Sequence, residues 1–231
     1  MKIGGFQKLT LLDYPGQVAC IVFTKGCNFR CPFCHNAGLV LPQQEECDIA
    51  EEAVLFYLQR RKHILDGVVM TGGEPLIWPD LSGFLRKVRG LGYKIKLDTN
   101  GSFPERLKAL LDFGLVDYVA MDIKQTPERY EDASGANHKE VVPLVEQSLR
   151  LLTDSGIPFE LRTTVVKGIH TLKDMTALAK WIGNVAPYYL QPYVNSKHIL
   201  SPEGLFSFSE KELEEILSEV KLYCPSVALR K

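Results

Sequence analysis

Short apolar runs alternate with helical patterns from one end of the chain to the other. The runs are QVACIVF (17–23), GVVMTG (67–72), YKIKLDT (93–99), DYVAMDIK (117–124), FELRTTVV (159–166) and PYYLQPY (187–193). Between them the apolar spacing predicts helices over 48–62, 79–91, 103–113, 138–155 and 172–183, with a last one over 209–222. Asp48 with Glu51 three positions on reads as a capping box, and Gly92 and Gly114 stand where helices stop. Strand alternating with helix points to a parallel sheet built from repeated βα units. No linker-like break divides the chain, so a single domain over 1–231 is expected.

Six such strands make either a doubly wound sheet or a partial barrel. Alternate positions help to choose: Lys96, Asp98 and Asn100 share one side of the third run and its exit. Asp122 and Lys124 share a side of the fourth, and Glu160, Arg162 and Thr164 a side of the fifth. A closed eight-stranded barrel fills its interior mainly with Val, Ile and Leu. A charged interior fits instead an open, partial (β/α)6 barrel of the TIM type holding a polar ligand, which is the fold class expected here. The alternative is that some of these residues face helices or pair among themselves.

Charge narrows the function. With 27 basic and 28 acidic residues there is no global basic footprint, so a nucleic-acid partner has no support. No apolar run reaches the 18 or so residues of a membrane span, and the first residues lack a signal-peptide core. A cytoplasmic protein with no membrane partner is expected. In that compartment six cysteines do not form a disulfide framework. Cys27, Cys31 and Cys34 fall within eight residues, whereas Cys20, Cys47 and Cys224 are scattered.

The clustered cysteines lie in GCNFRCPFCHN (26–36), just after the first run ends at Phe23 or Thr24. This loop, 24–36, falls at the C-terminal edge of the expected sheet, where α/β folds bind ligands. Thiolates are soft ligands for zinc, copper(I) or iron–sulfur clusters. Three of them can hold three corners of a cubane and leave the fourth iron for a ligand that is not protein. A zinc site completed by His35 is the rival, but Cys34 and His35 are adjacent, which is awkward for tetrahedral chelation.

CNFRCPFC matches the CxxxCxxC signature of radical S-adenosylmethionine (SAM) enzymes, with Phe33 at the usual aromatic position, and the resemblance runs over nearly the whole chain. It implies a 4Fe–4S cluster on Cys27, Cys31 and Cys34, with SAM's amino and carboxylate groups on the open iron. Reductive cleavage of SAM would then yield a 5′-deoxyadenosyl radical that abstracts a hydrogen from the substrate. No side chain is assigned a catalytic role, because the cofactors carry the chemistry. TGGEP (71–75) resembles the family's glycine-rich SAM-binding segment: Gly72 and Gly73 would let backbone approach the methionyl group, and Glu74 would offer an acceptor near the ammonium.

LTLLDYPGQVACIVFTKGCNFRCPFCHN, TGGEP, DTNG (98–101) and MDIK (121–124) together resemble the glycyl-radical-enzyme activating branch, and within it the group that activates anaerobic ribonucleoside-triphosphate reductase. That resemblance implies that His35 and Asn36 border SAM. It sets Asp98, Thr99 and Asp122 near SAM's carboxylate and a monovalent cation, Lys124 near its carboxylate or ribose, and Arg162 as another SAM-contacting base. The structural alternatives are helix capping by Asp98 or Asn100, a solvated Lys124, and an Arg162 that merely pairs with Glu160. Partners implied are a glycyl radical enzyme and a flavodoxin or ferredoxin as electron donor. His138, His170 and His198 lie outside any motif and read as surface or core residues. Pyruvate formate-lyase activators carry a SAM-adjacent histidine just after the sixth strand; LQPYVN (190–195) has none, leaving Gln191 or Tyr193 for that place. The stretch from about 195 to 231 is read as an extension that covers the barrel's end or docks the partner. A small-molecule substrate, as in the 7-carboxy-7-deazaguanine synthases, is the second reading, and a non-enzymatic metal-binding protein the third.

Overall fold

The structure is a computed structural model that describes residues 1–41 and 48–230. Eight strands form one sheet in chain order: β1 Ile3–Thr10, β2 Ala19–Thr24, β3 Gly67–Gly72, β4 Lys94–Thr99, β5 Tyr118–Asp122, β6 Phe159–Val165, β7 Tyr188–Pro192 and β8 Val227–Leu229. β1 runs antiparallel to β2, and every later neighbour pair is parallel. The six expected strands are β2 to β7, each within two residues at either end. β1 and β8 are additional edge strands, at opposite ends of the strand order, so the barrel is partial.

The helices are α1 Ala37–Val40, α2 Glu51–Gln59, α3 Leu81–Gly90, α4 Pro104–Asp112, α5 Tyr130–Ser134, α6 His138–Ser155, α7 Leu172–Ile182 and α8 Glu210–Lys221. The six expected helices are present, and α1 and α5 are short additions in loops. One expected cap is corrected. α2 starts at Glu51 with no side-chain cap, and Asp48 instead lies 2.9 Å from Lys25 Nζ. Capping boxes occur at Thr171/Asp174 and Ser209/Glu212. Gly92 and Gly114, just past α3 and α4, have φ of +91° and +58°, the left-handed conformation that ends helices. Cys47 falls outside the described residues.

Strand alternation divides the molecule into two interiors. Val68, Met70, Ile95, Leu97, Val119, Met121 and Leu161 point outward to the helices, and all are fully buried. The opposite face encloses a polar interior. There Arg230 bonds Glu160 (2.5 and 2.9 Å), Glu160 lies 3.9 Å from Lys96, and Lys96 lies 3.5 Å from Asp98. Arg162 follows, 3.2 Å from Asp98 and 2.9 Å from Asp122, and Lys124 is 3.0 Å from Asp122. Seven charges of alternating sign thus pair in sequence, and register explains part of it, since Asp122 sits directly beside Arg162.

The turn between β1 and β2 closes the base. Tyr14 of DYPG packs with Ile21 and Val69, its ring 6.1 Å from that of Tyr118, while Lys96 Nζ donates to Asp13 O. Among the described residues no helix is long and apolar enough to cross a membrane.

Gly83 lies inside α3, exposed, and a Cβ there meets nothing within 4 Å. Gly83→Ala is expected to raise stability by about 0.5–1 kcal/mol, read from urea unfolding, because alanine loses less backbone freedom on folding.

Candidate active site

The βα loops converge at the C-terminal edge of the sheet around a cavity of about 250 Å³. All three clustered cysteines and all eleven expected SAM-contacting residues line it, although they come from five stretches of chain. The loop after β2 brings Cys27, Cys31, Cys34, Phe33, His35 and Asn36. The end of β3 brings Gly72, Gly73 and Glu74; β4 brings Asp98 and Thr99; β5 and its exit bring Asp122 and Lys124; β6 brings Arg162. Thr164 and Gln191 complete the wall towards β7.

The three sulfurs are a soft donor set opening on one space, which fits an iron–sulfur cluster. As free thiols Cys27 and Cys31 stay protonated at neutral pH: burial pushes Cys27 up to about 12 and Cys31 up to about 11. Assembly of a cluster must therefore release protons. The loop is held by its own backbone and by distant segments. Arg30 donates to Cys27 O (2.6 Å) and Phe29 O (2.8 Å), and Arg30 N donates to Ser134 O (2.8 Å). From the far end of the chain, Leu200 N donates to Cys34 O (3.2 Å) and Ser201 N to Pro32 O (2.9 Å).

The glycine-rich segment has a different first task from the one expected of it. A Cβ on Gly73 would stand 1.9 Å from Gly26 O, and one on Gly72, whose φ is +122°, 2.4 Å from Thr24 N. The glycines let this segment pack on β2 and the cysteine loop. Glu74 is buried, and its carboxylate accepts from Leu76 N (3.0 Å), Thr99 Oγ1 (2.8 Å) and Asn100 N (2.7 Å). Its oxygens are thus engaged in joining the ends of β3 and β4.

Burial nevertheless pushes the Glu74 pKa from 4.5 up to about 7. The folded protein then binds more protons than the unfolded chain across that window, so stability falls as pH rises through it. Glu74→Gln removes the titrating group. Its unfolding free energy is expected to stay flat from about pH 4.5 to 7, where that of the wild type declines.

The charged residues take partners that decide between the earlier alternatives. Arg162 pairs with Asp98 and Asp122 and makes no ion pair with Glu160, which is held by Arg230 and by Tyr118 Oη (2.8 Å). Asp98 caps no helix, and its Oδ1 is buried without a hydrogen bond. Lys124 is not a free surface lysine; burial opposes its charge, but Asp122 holds its pKa above the usual lysine value. Asp122 is held at about 2: burial favours its neutral form, and Arg162 and Lys124 outweigh that. Arg162 already bridges the two carboxylates near which a monovalent cation is expected. Asn36 Nδ2 donates to Gly72 O (3.1 Å). Of the two candidates after β7, Gln191 lines the cavity, whereas Tyr193 is buried against His35, ring centroids 6.0 Å apart.

His170 is a core residue, His198 is exposed, and His138 is partly exposed beside Glu131. His170 bonds Lys124 O through Nε2 (2.8 Å) and accepts from Val166 N at Nδ1 (3.1 Å). Asn28, Asn100 and Ser102 were not among the expected site residues, yet they join the cysteine loop to the end of β4. Their one sequence signal is a run of small polar residues beside the motifs.

The profile of the Radical SAM superfamily matches residues 21–182. A Methanocaldococcus jannaschii protein, provisionally named a glycyl-radical enzyme activating enzyme, is 28% identical over 99% of this chain and 95% of its own length. The pyruvate formate-lyase-activating enzyme of Listeria monocytogenes is 30% identical over 83% of this chain and 81% of its own. Among solved structures, Streptococcus suis SuiB bound to its precursor peptide SuiA superposes with a TM-score of 0.70 at 13% identity. That match covers 91% of this chain and 48% of SuiB, so the chain spans about half of that protein and shares its fold. With the cysteine loop, the glycine-rich segment and the partial barrel in place, the chain belongs to the radical SAM superfamily, in the branch of the glycyl-radical-enzyme activating enzymes.

Proposed function

We propose that this enzyme cleaves SAM reductively at a 4Fe–4S cluster held by Cys27, Cys31 and Cys34. It generates a glycyl radical on a partner polypeptide, and that partner is the anaerobic ribonucleoside-triphosphate reductase. When bound, the cluster supplies the electron that releases a 5′-deoxyadenosyl radical from SAM, the electron coming in turn from flavodoxin or ferredoxin. The chain's own residues bind and shield. Arg162 and Lys124 attract SAM's carboxylate, Asp98 offers to the ammonium its Oδ1, which accepts no hydrogen bond and lies 3.5 Å from Lys96 Nζ, and buried Phe33 helps keep water from the reacting centre. A monovalent cation belongs to the same reading, with Asp98 and Asp122 supplying its carboxylates once SAM's carboxylate draws on Arg162 or Lys124.

The observation that carries the choice of a macromolecular substrate is the filled interior. The cavity of about 250 Å³ must take SAM, and pockets enclosing a single drug-sized ligand run to roughly 300–1,000 Å³. Beneath it, among the described residues, the Lys96–Glu160–Arg230 ion pairs and the Tyr14 plug occupy the interior that a second enclosed small molecule would need. A substrate that offers one loop at the mouth meets this geometry.

Electron paramagnetic resonance tests the proposal. The reconstituted, reduced enzyme is mixed with SAM and the reductase of the same organism, and SAM cleavage is followed in parallel. A glycyl doublet on the reductase is the expected result. SAM cleavage without the doublet overturns that partner and returns the search to other glycyl radical enzymes or to a small molecule. One zinc in place of about four irons with matching sulfide overturns the enzyme reading altogether. Asp98→Ala is expected to weaken SAM binding about tenfold or more, measured by equilibrium binding, since a charge-assisted bond is lost. Unchanged affinity would remove Asp98 from the site.

A further inference from the structure

Asn100 is the third residue of DTNG, 6% exposed, and its side-chain amide is oriented without ambiguity. Oδ1 accepts from Ser102 N (3.0 Å) and Ser102 Oγ (2.6 Å), so the opposite side of the amide must be the NH2 group. That group has two hydrogens and two acceptors before it. One is Asn28 Oδ1 at 3.0 Å; the other is Cys27 Sγ at 4.0 Å, within reach of a hydrogen bond to sulfur. Asn28 Nδ2 closes the arrangement on Ser102 Oγ at 2.9 Å, and Asn100 N is fixed on the Glu74 carboxylate. Cys27 Sγ also receives Phe29 N at 3.3 Å. Among the described residues Cys31 Sγ receives no such donor, and it faces a carbonyl, Ser134 O, at 4.0 Å. Cys27 and Cys31 therefore stand in unlike surroundings.

We propose that Asn100 is a positioning residue for the cluster: it holds Cys27 in place and donates a hydrogen bond to the Cys27 thiolate, raising the reduction potential of the iron–sulfur centre. Donors to a ligating sulfur stabilise the added negative charge of the reduced state, and outer partners of this kind fix the ligand as well. The inference needs the cluster on Cys27 and is independent of which substrate the enzyme activates. It extends the role of DTNG from Asp98 and Thr99 to the cluster itself.

The test uses Asn100→Asp and Asn100→Ala in the full chain, reconstituted anaerobically, with Asn28→Ala beside them. Asn100→Asp keeps the acceptor for Ser102 and removes both donors. The readouts are iron and sulfide content, apoprotein melting, and the midpoint potential from an EPR-monitored redox titration without SAM. Both Asn100 variants are expected to load a cluster whose potential is more negative than wild type. Asn28→Ala, which keeps the donor to sulfur, is expected to shift it less. Loaded Asn100 variants with the wild-type potential overturn the proposal. If neither loads, an unchanged apoprotein melting temperature supports the role in holding Cys27. A melting temperature lowered in parallel with the lost loading assigns Asn100 to the fold alone and overturns the proposal.

Discussion

Cys31→Ala is expected to yield a folded protein that cleaves no SAM. Cys31 is 8% exposed, and its sulfur makes one weak contact with Ser134 O. Removing one buried sulfur leaves a small cavity and costs about 1 kcal/mol, so the melting temperature drops only a little. Activity is another matter. Loss of an outer partner of a metal ligand already costs about 10–100-fold, and a ligand itself costs more than that. Cleavage measured as 5′-deoxyadenosine released under reducing conditions should fall to the level without enzyme. A variant that keeps cleavage removes Cys31 from the ligand set, and with it the reading of the whole loop.

Gly73→Ala carries the second large effect, and it arises from backbone alone. The added Cβ would lie 1.9 Å from Gly26 O and 2.6 Å from Gly26 C. Neither atom can swing aside as the end of a side chain would. Both chains are pinned at that point, because Gly73 N donates to Thr24 O and Glu74 N to Gly26 O, each at 2.9 Å. Relief requires the two segments to part by more than 1 Å, which breaks those bonds and carries Cys27 with it. Destabilisation of about 3 kcal/mol and failure to retain a cluster are expected, measured by urea unfolding and iron content. Gly83→Ala in α3 is the matched control for a glycine with open space around it.

These two residues also show what a sequence discloses. The cysteine loop could be read because its ligands are close together along the chain, and β2 to β7 could be read because short apolar runs alternate with helical spacing. The charged inner face was legible for the same reason: Lys96, Asp98, Glu160 and Arg162 alternate with fully buried apolar residues, and the structure turns all four inward. β1 and β8 were not. IGGFQKLT carries two glycines and little apolar alternation, and VAL is three residues long behind a proline. Edge strands such as these are fixed by the neighbour they pair with. Partner choice was equally hidden. Asp48 and Glu51 have capping-box spacing, yet Asp48 finds Lys25, and Glu160 finds Arg230 from 70 residues away. Asn28, Asn100 and Ser102 read as ordinary loop residues until folding brings them together.

The bonds from Leu200 and Ser201 to the cysteine loop have a consequence for the order of events on the ribosome. Pro32 emerges about 170 residues before Ser201, roughly 10–30 s earlier at ordinary rates of synthesis. Throughout that interval the three thiols exist without the strand of backbone that finally fastens their loop. Metal delivered to the nascent chain during that interval would meet an unfinished seat.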